Sequence, residues 1–187
     1  MNLYALVLKA ILSLPHYDAE VETPSARLAR METIASAITR TANEATCSDD
    51  THTAIEGCKA IWGNRLELAM LLVTIALHES GLAEHIHADR CGKNECDHGL
   101  AKGLWQMHAS YVMPREVWEK SGGTSAGGTY LGASYAARRL AGNRTRCAKK
   151  GLDWLEPTIA GYATGNVCQW SGTASRAKTF RVLMGGK

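Results

Sequence analysis

Residues 64–81 read Asn-Arg-Leu-Glu-Leu-Ala-Met-Leu-Leu-Val-Thr-Ile-Ala-Leu-His-Glu-Ser-Gly, and this stretch decides the fold. Between Leu66 and Leu77 the apolar residues fall on every side of a helical wheel, which predicts a buried central helix rather than an amphipathic surface one. Asn64 is placed to cap its start, with Glu67 three residues on, and Gly81 supplies the stop. Glu79 then stands at the C-terminal end. There the helix dipole presents partial negative charge and the surroundings are apolar, so both disfavour the ionised carboxylate and predict a raised pKa. An acid that keeps its proton near neutral pH suits protonation of a leaving oxygen, the demand made by glycoside cleavage. The competing reading is a boundary glutamate paired with a neighbouring histidine or a distant arginine, since structural ion pairs perturb carboxylates too.

The chain on either side is also helical in pattern. Leu3, Leu6, Val7, Ala10, Ile11 and Leu14 keep helical spacing up to Pro15. A second helix is expected from Thr23 as cap and Pro24 in the first turn, burying Leu28, Met31, Ile34, Ala35 and Ile38 and ending before Asn43. A short helix or turn is expected over 53–60 and a long polar loop over 81–102. Short helices follow over 105–111 and 114–120, then a flexible glycine-rich linker over 122–128. Three more helices are expected over 130–140, over 153–162 with Asp153 and Glu156 as a capping box, and over 175–184. No repeat and no strand-type alternation supports a sheet-based fold. The reading is a mostly α protein, with residues 1–64 an N-terminal helical extension packed on the core and residues 65–187 carrying the site.

At 187 residues the chain is long enough to bury a proper core. Six cysteines, at 47, 58, 91, 96, 147 and 168, fall into near-neighbour pairs: Cys47 with Cys58, Cys91 with Cys96, and Cys147 with Cys168. Six cysteines allow roughly fifteen connectivities, so this is one choice among them. Three disulfides imply an oxidising, extracytoplasmic compartment, whether periplasmic, secreted or reached in a phage particle. No apolar run approaches the roughly 18 residues of a membrane span. The N-terminus lacks a basic start and Lys9 interrupts its apolar residues, so it reads as a packed helix rather than a signal peptide. Charge is divided unevenly: residues 1–100 hold 8 basic and 14 acidic residues, and residues 101–187 hold 13 and 4. The basic excess gathers at Arg138, Arg139, Arg144, Arg146, Lys149, Lys150, Arg176, Lys178 and Arg181. It either attracts a polyanion such as an anionic cell wall or complements the acidic half within the molecule.

After Glu79-Ser80 come Gly103-Leu104-Trp105-Gln106-Met107 and Gly161-Tyr162-Ala163-Thr164-Gly165. In this order the three segments resemble the signatures of the soluble lytic transglycosylases, lysozyme-like enzymes that cut the glycan strands of peptidoglycan. The resemblance covers 65–183. It implies a lysozyme-like helical domain with a small β region in the loop after Gly81. Residue by residue it implies that Glu79 is the acid and that four residues bind substrate: Ser80 as its polar neighbour, Trp105 and Gln106 lining the sugar groove, with Gln106 a sugar-contacting amide, and Tyr162 as a phenol over the acid. Trp105 stands where methionine is usual and Ala163 where asparagine is usual. The implied reaction cleaves the β-1,4 bond between N-acetylmuramic acid and N-acetylglucosamine, in a monomer, without cofactor or metal. Glu79 protonates the bridging oxygen, then accepts the proton of the muramic acid 6-hydroxyl as an internal 1,6-anhydro ring closes. A conventional glycosidase instead needs two carboxylates, separated by about 5 Å when retaining or about 6.5 to 9.5 Å when inverting. Asp89 and Asp97, where goose-type lysozymes carry theirs, are the candidates for a hydrolytic second carboxylate.

Other chemistries fit less well. His78-Glu79 begins like a metalloprotease helix, but position 82, where the second histidine belongs, is Leu82. A structural zinc on Cys91, Cys96 and two of His85, His87 and His98 competes with a disulfide hairpin. No Gly-x-Ser-x-Gly frame surrounds Ser80, and no phosphate-binding glycine pattern occurs. The non-enzymatic alternative is a polyanion or nucleic-acid-binding module using the basic half with Trp105, Trp118, Trp154 and Trp170. Buried packing is the commoner fate of indoles, so no nucleic-acid partner is expected.

Overall fold

Helix α1 (Leu3–Ser13) and helix α2 (Pro24–Cys47) lead into α3 (Arg65–Ser80), the predicted central helix. Two short turns, α4 (Glu84–His87) and α5 (Cys96–Gly99), then precede a hairpin of β1 (Ala101–Lys102) and β2 (Met107–His108). Helices α6 (Arg115–Lys120), α7 (Ala126–Ala148), α8 (Leu155–Thr164) and α9 (Thr173–Leu183) complete the chain. The computed structural model describes residues 2–15, 22–47, 62, 64–109, 113–148, 153–165 and 167–186, and among these the protein is mostly helical with one small β region.

The α3 helix forms as its sequence dictates. The Asn64 side chain accepts the Glu67 N–H at 2.8 Å, and Gly81, in the left-handed region at φ 61°, donates its N–H to the Leu77 carbonyl. Every residue from Leu68 to Ala76 is buried. Around them close Val7 and Ile11 of α1, Met31, Ile34 and Ile38 of α2, Ala136 and Leu140 of α7, Ile159 of α8 and Phe180 of α9. Helices α1 and α2 therefore share one continuous core with α3. Withdrawing each such large side chain from water is worth about 1.5–3 kcal/mol.

Several elements differ from expectation because other contacts override the local pattern. Helix α2 continues through Asn43 to Cys47, because Arg40 pairs with Glu44 one turn on and Asn43 uses its side-chain oxygen to accept from Arg65 rather than to stop the helix. The stretch expected as a short helix over 105–111 begins as a tight turn, Gly103–Gln106, joining the two strands, with Ala101 opposite His108 and Lys102 opposite Met107. Gly127 and Gly128 are not linker but the first turn of α7, where the Ser125 hydroxyl accepts the Gly128 N–H at 3.0 Å. Gly128 is needed there: a Cβ would stand 2.1 Å from the Gly122 carbonyl oxygen. The Asp153/Glu156 capping box is absent, since α8 starts at Leu155 without a side-chain cap and Glu156 pairs with Arg181 at 3.1 Å.

Cys91 is bonded to Cys96, and Cys147 to Cys168, which ties the end of α7 to the chain after α8. The first bond removes both thiolates from the zinc alternative. The expected 53–60 element and the pairing of Cys47 with Cys58 lie outside the described residues.

Candidate functional site

Glu79 is the penultimate residue of α3, and its side chain remains 17% exposed. Arg176, on α9, donates Nη2–H to Glu79 Oε1 at 3.2 Å. The arginine is itself held, with Nη1 donating to the Gly172 carbonyl at 3.3 Å and the guanidinium 4.8 Å from the centre of the Trp170 ring. Burial pushes the Glu79 carboxyl above its ordinary range, against the opposing pull of Arg176 and, more weakly, of His108. The two sequence readings of Glu79, an acid with a raised pKa and a partner of a distant arginine, thus hold together. Of these two influences, desolvation wins.

Tyr162, on α8, is buried beside this pair, and its phenol donates to the Trp105 carbonyl at 2.6 Å. Burial and then the Glu79 carboxylate push its pKa well up, so at neutral pH it is a neutral donor within electrostatic reach of the acid. Trp105 is fully enclosed instead of lining a groove: its Nε1–H donates to the Leu72 carbonyl at 3.0 Å, and its ring lies so close to Gly132 that a Cβ there would sit 2.8 Å away. Ser80 is also buried, donating to the Ala76 carbonyl at 2.6 Å and accepting the Leu82 N–H at 3.3 Å, so its hydroxyl closes the helix rather than facing a ligand. Gln106, half-buried at φ 46°, turns its amide back on the hairpin, donating to the Gly103 carbonyl at 3.1 Å and toward Cys96 Sγ at 3.5 Å.

The two aspartates separate. Asp89 accepts the Gly103 N–H at 3.0 Å and a backbone N–H of Gly123, and a Cβ on Gly122 would stand 1.8 Å from its Oδ2. It is a brace joining the loop, the hairpin and the start of α7, and burial raises its pKa. Asp97 is 59% exposed, with Oδ2 4.0 Å from His108 Nδ1. It stands in a turn where Cys96, Asp97 and His98 all have positive φ, a conformation costing about 1–2 kcal/mol per residue. The Cys91–Cys96 bond closes the base of this turn.

The structure therefore gathers Glu79, Tyr162 and the Trp105 carbonyl, adds Arg176, His108 and Trp170, and leaves Ser80 and the Trp105 ring inside. His108 directly follows the Gly-Leu-Trp-Gln-Met segment and was within reach of sequence reasoning; Arg176 carried no motif. His78 and His85 have other partners, Thr179 at 3.0 Å and Glu95 at 3.2 Å. No cluster of three or more metal-ligating side chains occurs among the described residues. Beside Trp170 lies an open concavity of about 550 Å³, walled by Asp153, Glu156, Gln169, Trp170, Ser171 and Thr173; Glu79 is not among its walls.

Much of the basic excess is used internally. Arg144 pairs with Glu67 and lies over the rings of both Trp62 and Trp154, at 5.2 and 4.1 Å from their centres. Arg176 and Arg181 pair with Glu79 and Glu156. Among the described residues no helix is long and apolar enough to cross a membrane. The chain matches no protein-family model, no curated protein and no solved structure.

Proposed function

We propose that the protein cleaves the β-1,4 bond between N-acetylmuramic acid and N-acetylglucosamine in peptidoglycan, by the lytic transglycosylase route, with Glu79 as both acid and base. The observation that carries this reading is the desolvated carboxyl of Glu79 at the end of a buried helix, with the Tyr162 phenol brought to it from α8. These are two of the three segments that resemble the family, and they converge in space. Because Arg176 donates to Oε1, the proton of neutral Glu79 belongs on Oε2, which leaves that oxygen to serve the glycosidic oxygen. As the bond breaks the carboxylate forms against the guanidinium, which stabilises it. The same carboxylate then takes the proton of the muramic acid 6-hydroxyl while that oxygen bonds to C1, closing the anhydro ring with no water consumed.

The engagement of Asp89 as a brace favours one carboxylate acting alone. Asp97 favours the second reading, a goose-type hydrolase, because it faces His108, whose charge is felt at Glu79. A polyanion-binding module is less well supported, since Arg144, Arg176 and Arg181 are committed to carboxylates. The two disulfides support an oxidising, extracytoplasmic setting, periplasmic, secreted or virion-delivered, with peptidoglycan as the partner and a monomer as the working unit.

Digestion of purified peptidoglycan followed by mass spectrometry tests the proposal. Anhydro products, one water lighter than hydrolytic ones, are expected from the wild type, and almost no cleavage from a folded Glu79→Gln protein, whose amide has no proton to donate. Full activity in Glu79→Gln would sink the assignment.

A further inference from the structure

Trp170 is the one tryptophan whose ring is both substantially exposed and fixed in place. It is 39% exposed, while Trp62 and Trp105 are enclosed and Trp118 donates its Nε1–H to the Met107 carbonyl. Its position is built by two neighbours. Gly172 has no side chain, and a Cβ there would lie 2.3–2.6 Å from three atoms of the benzo half of the indole, so the ring occupies the space that any other residue would fill. Arg176 then stacks its guanidinium 4.8 Å from the ring centre while holding the Gly172 carbonyl and Glu79 Oε1. A large apolar ring kept at the surface by two separate devices forgoes part of the burial that would otherwise stabilise the fold.

We propose that Trp170 is the wall of a glycan subsite adjoining Glu79, which takes the flat C–H face of a pyranose ring in the concavity that it lines. This rests on the reading of the protein as a glycan-cleaving enzyme and names the side on which the strand lies. The ring offers an apolar surface with polar groups beside it, the combination that a sugar needs: Asp153, Gln169 and Ser171 share the wall and can hydrogen-bond hydroxyls. A cationic ligand fits less well. Arg176 already occupies the electrostatic attraction of the indole, and a second cation would be repelled by it. Glu156, the other carboxylate in the wall, is paired with Arg181. Through the Trp170–Arg176–Glu79 contacts the subsite is one guanidinium away from the acid.

The test is titration of soluble tetra-N-acetylchitotetraose into the protein, followed through the Trp170 indole N–H resonance, alongside KM for purified peptidoglycan. The indole signal should move on titration, and Trp170→Ala should raise both Kd and KM by about tenfold, as expected for loss of one stacked aromatic surface. Trp170→Phe should retain most of the affinity. Gly172→Ala, which keeps the indole but takes its space, should weaken binding in the same direction as Trp170→Ala. Unchanged Kd and KM in a folded Trp170→Ala protein, or an indole resonance that stays still while the sugar binds elsewhere, overturns the subsite. The two readings fail separately: sugar binding at Trp170 with no cleavage of the wall removes the enzyme and leaves the subsite, whereas cleavage with an indifferent Trp170 removes the subsite and leaves the enzyme.

Discussion

Acidifying the protein from about pH 7.5 to about pH 5 should remove the stability that rests on a neutral His87, the histidine with the largest shift, beside smaller effects of His78, Glu79 and Asp89. The His87 imidazole is 1% exposed, and Nε2 lies 2.8 Å from the Thr129 hydroxyl. Thr129 gives its own proton to the Ser125 carbonyl, so it accepts from Nε2–H, and Nδ1 is left as the bare nitrogen with no hydrogen-bond partner. Protonating Nδ1 would bury a second N–H without an acceptor and place a charge near Arg30. Burial, then Arg30, against the weaker pull of Glu22, push the His87 pKa down from 6.5 to about 4. The unfolded chain then binds a proton that the folded one refuses, so stability is complete above pH 6.5 and is lost as pH falls toward 4. The loss from this group is about 2 kcal/mol at pH 5, and approaches about 3 kcal/mol below pH 4. Urea unfolding of the wild type and of His87→Gln at both pH values isolates it, since glutamine keeps a donor to Thr129 but does not titrate. Glu22, whose pKa is lowered chiefly by its hydrogen bonds to Arg30, contributes stability that is lost only as pH falls below its ordinary value of 4.5, outside this window. Equal pH slopes in the two proteins would show that His87 is not buried neutral as described.

Replacing Cys147 and Cys168 together by serine should lower stability by about 3 kcal/mol, the chain-entropy value for a loop of this length, read as the shift in urea midpoint under non-reducing conditions. Tyr162→Phe leaves the Trp105 carbonyl without its donor in a buried place, so stability should fall by about 1–2 kcal/mol and wall cleavage should fall as well; normal specific activity in the folded variant would make Tyr162 structural only. Asp89→Asn, which still offers an oxygen to the Gly103 N–H, should keep at least about a tenth of wild-type turnover, whereas abolished cleavage in a folded protein would make Asp89 a reacting group. Asp97→Asn should likewise keep turnover and the anhydro product; loss of turnover in an enzyme whose wild type yields reducing ends would assign the hydrolytic route.

What the sequence made legible was whatever depends on near neighbours. The buried helix, its Asn64 cap and its Gly81 stop follow from spacing within twenty residues, and each formed as read. The misread elements are those where a partner from elsewhere overrode local preference. Asn43 looks like a stop until Arg65 reaches it, and Glu156 looks like half of a capping box until Arg181 takes it. Gly127 and Gly128 look like a linker because glycine is poor in helices, yet the crowding of Gly128 against Gly122 makes the missing side chain a requirement of the fold. The signature segments pose a different question, because the side chains of Ser80 and Trp105 are both buried. Ser80 and Trp105 lie in segments resembling a family's site, but a motif records which residues recur together and not which way each side chain points.

The charge asymmetry shows how far such long-range pairing shapes the site. An acidic first half and a basic second half suggested either a polyanion partner or mutual attraction, and the ion pairs from Arg144 to Glu67 and from Arg176 to Glu79 both join the second half to α3 of the first. These two pairs differ in consequence. Glu67 lies in the first turn of α3, where the helix dipole already favours a carboxylate, so Arg144 adds to an existing preference. Glu79 lies at the opposite end, where dipole and burial both oppose ionisation, so Arg176 works against them. The balance leaves the Glu79 carboxyl above its ordinary range, with a guanidinium in place to meet the charge when it loses its proton. The proposed reaction asks Glu79 first to give a proton and then to hold the resulting charge long enough to take another, which needs both influences, and these come from α3 and α9, elements that no local pattern connects.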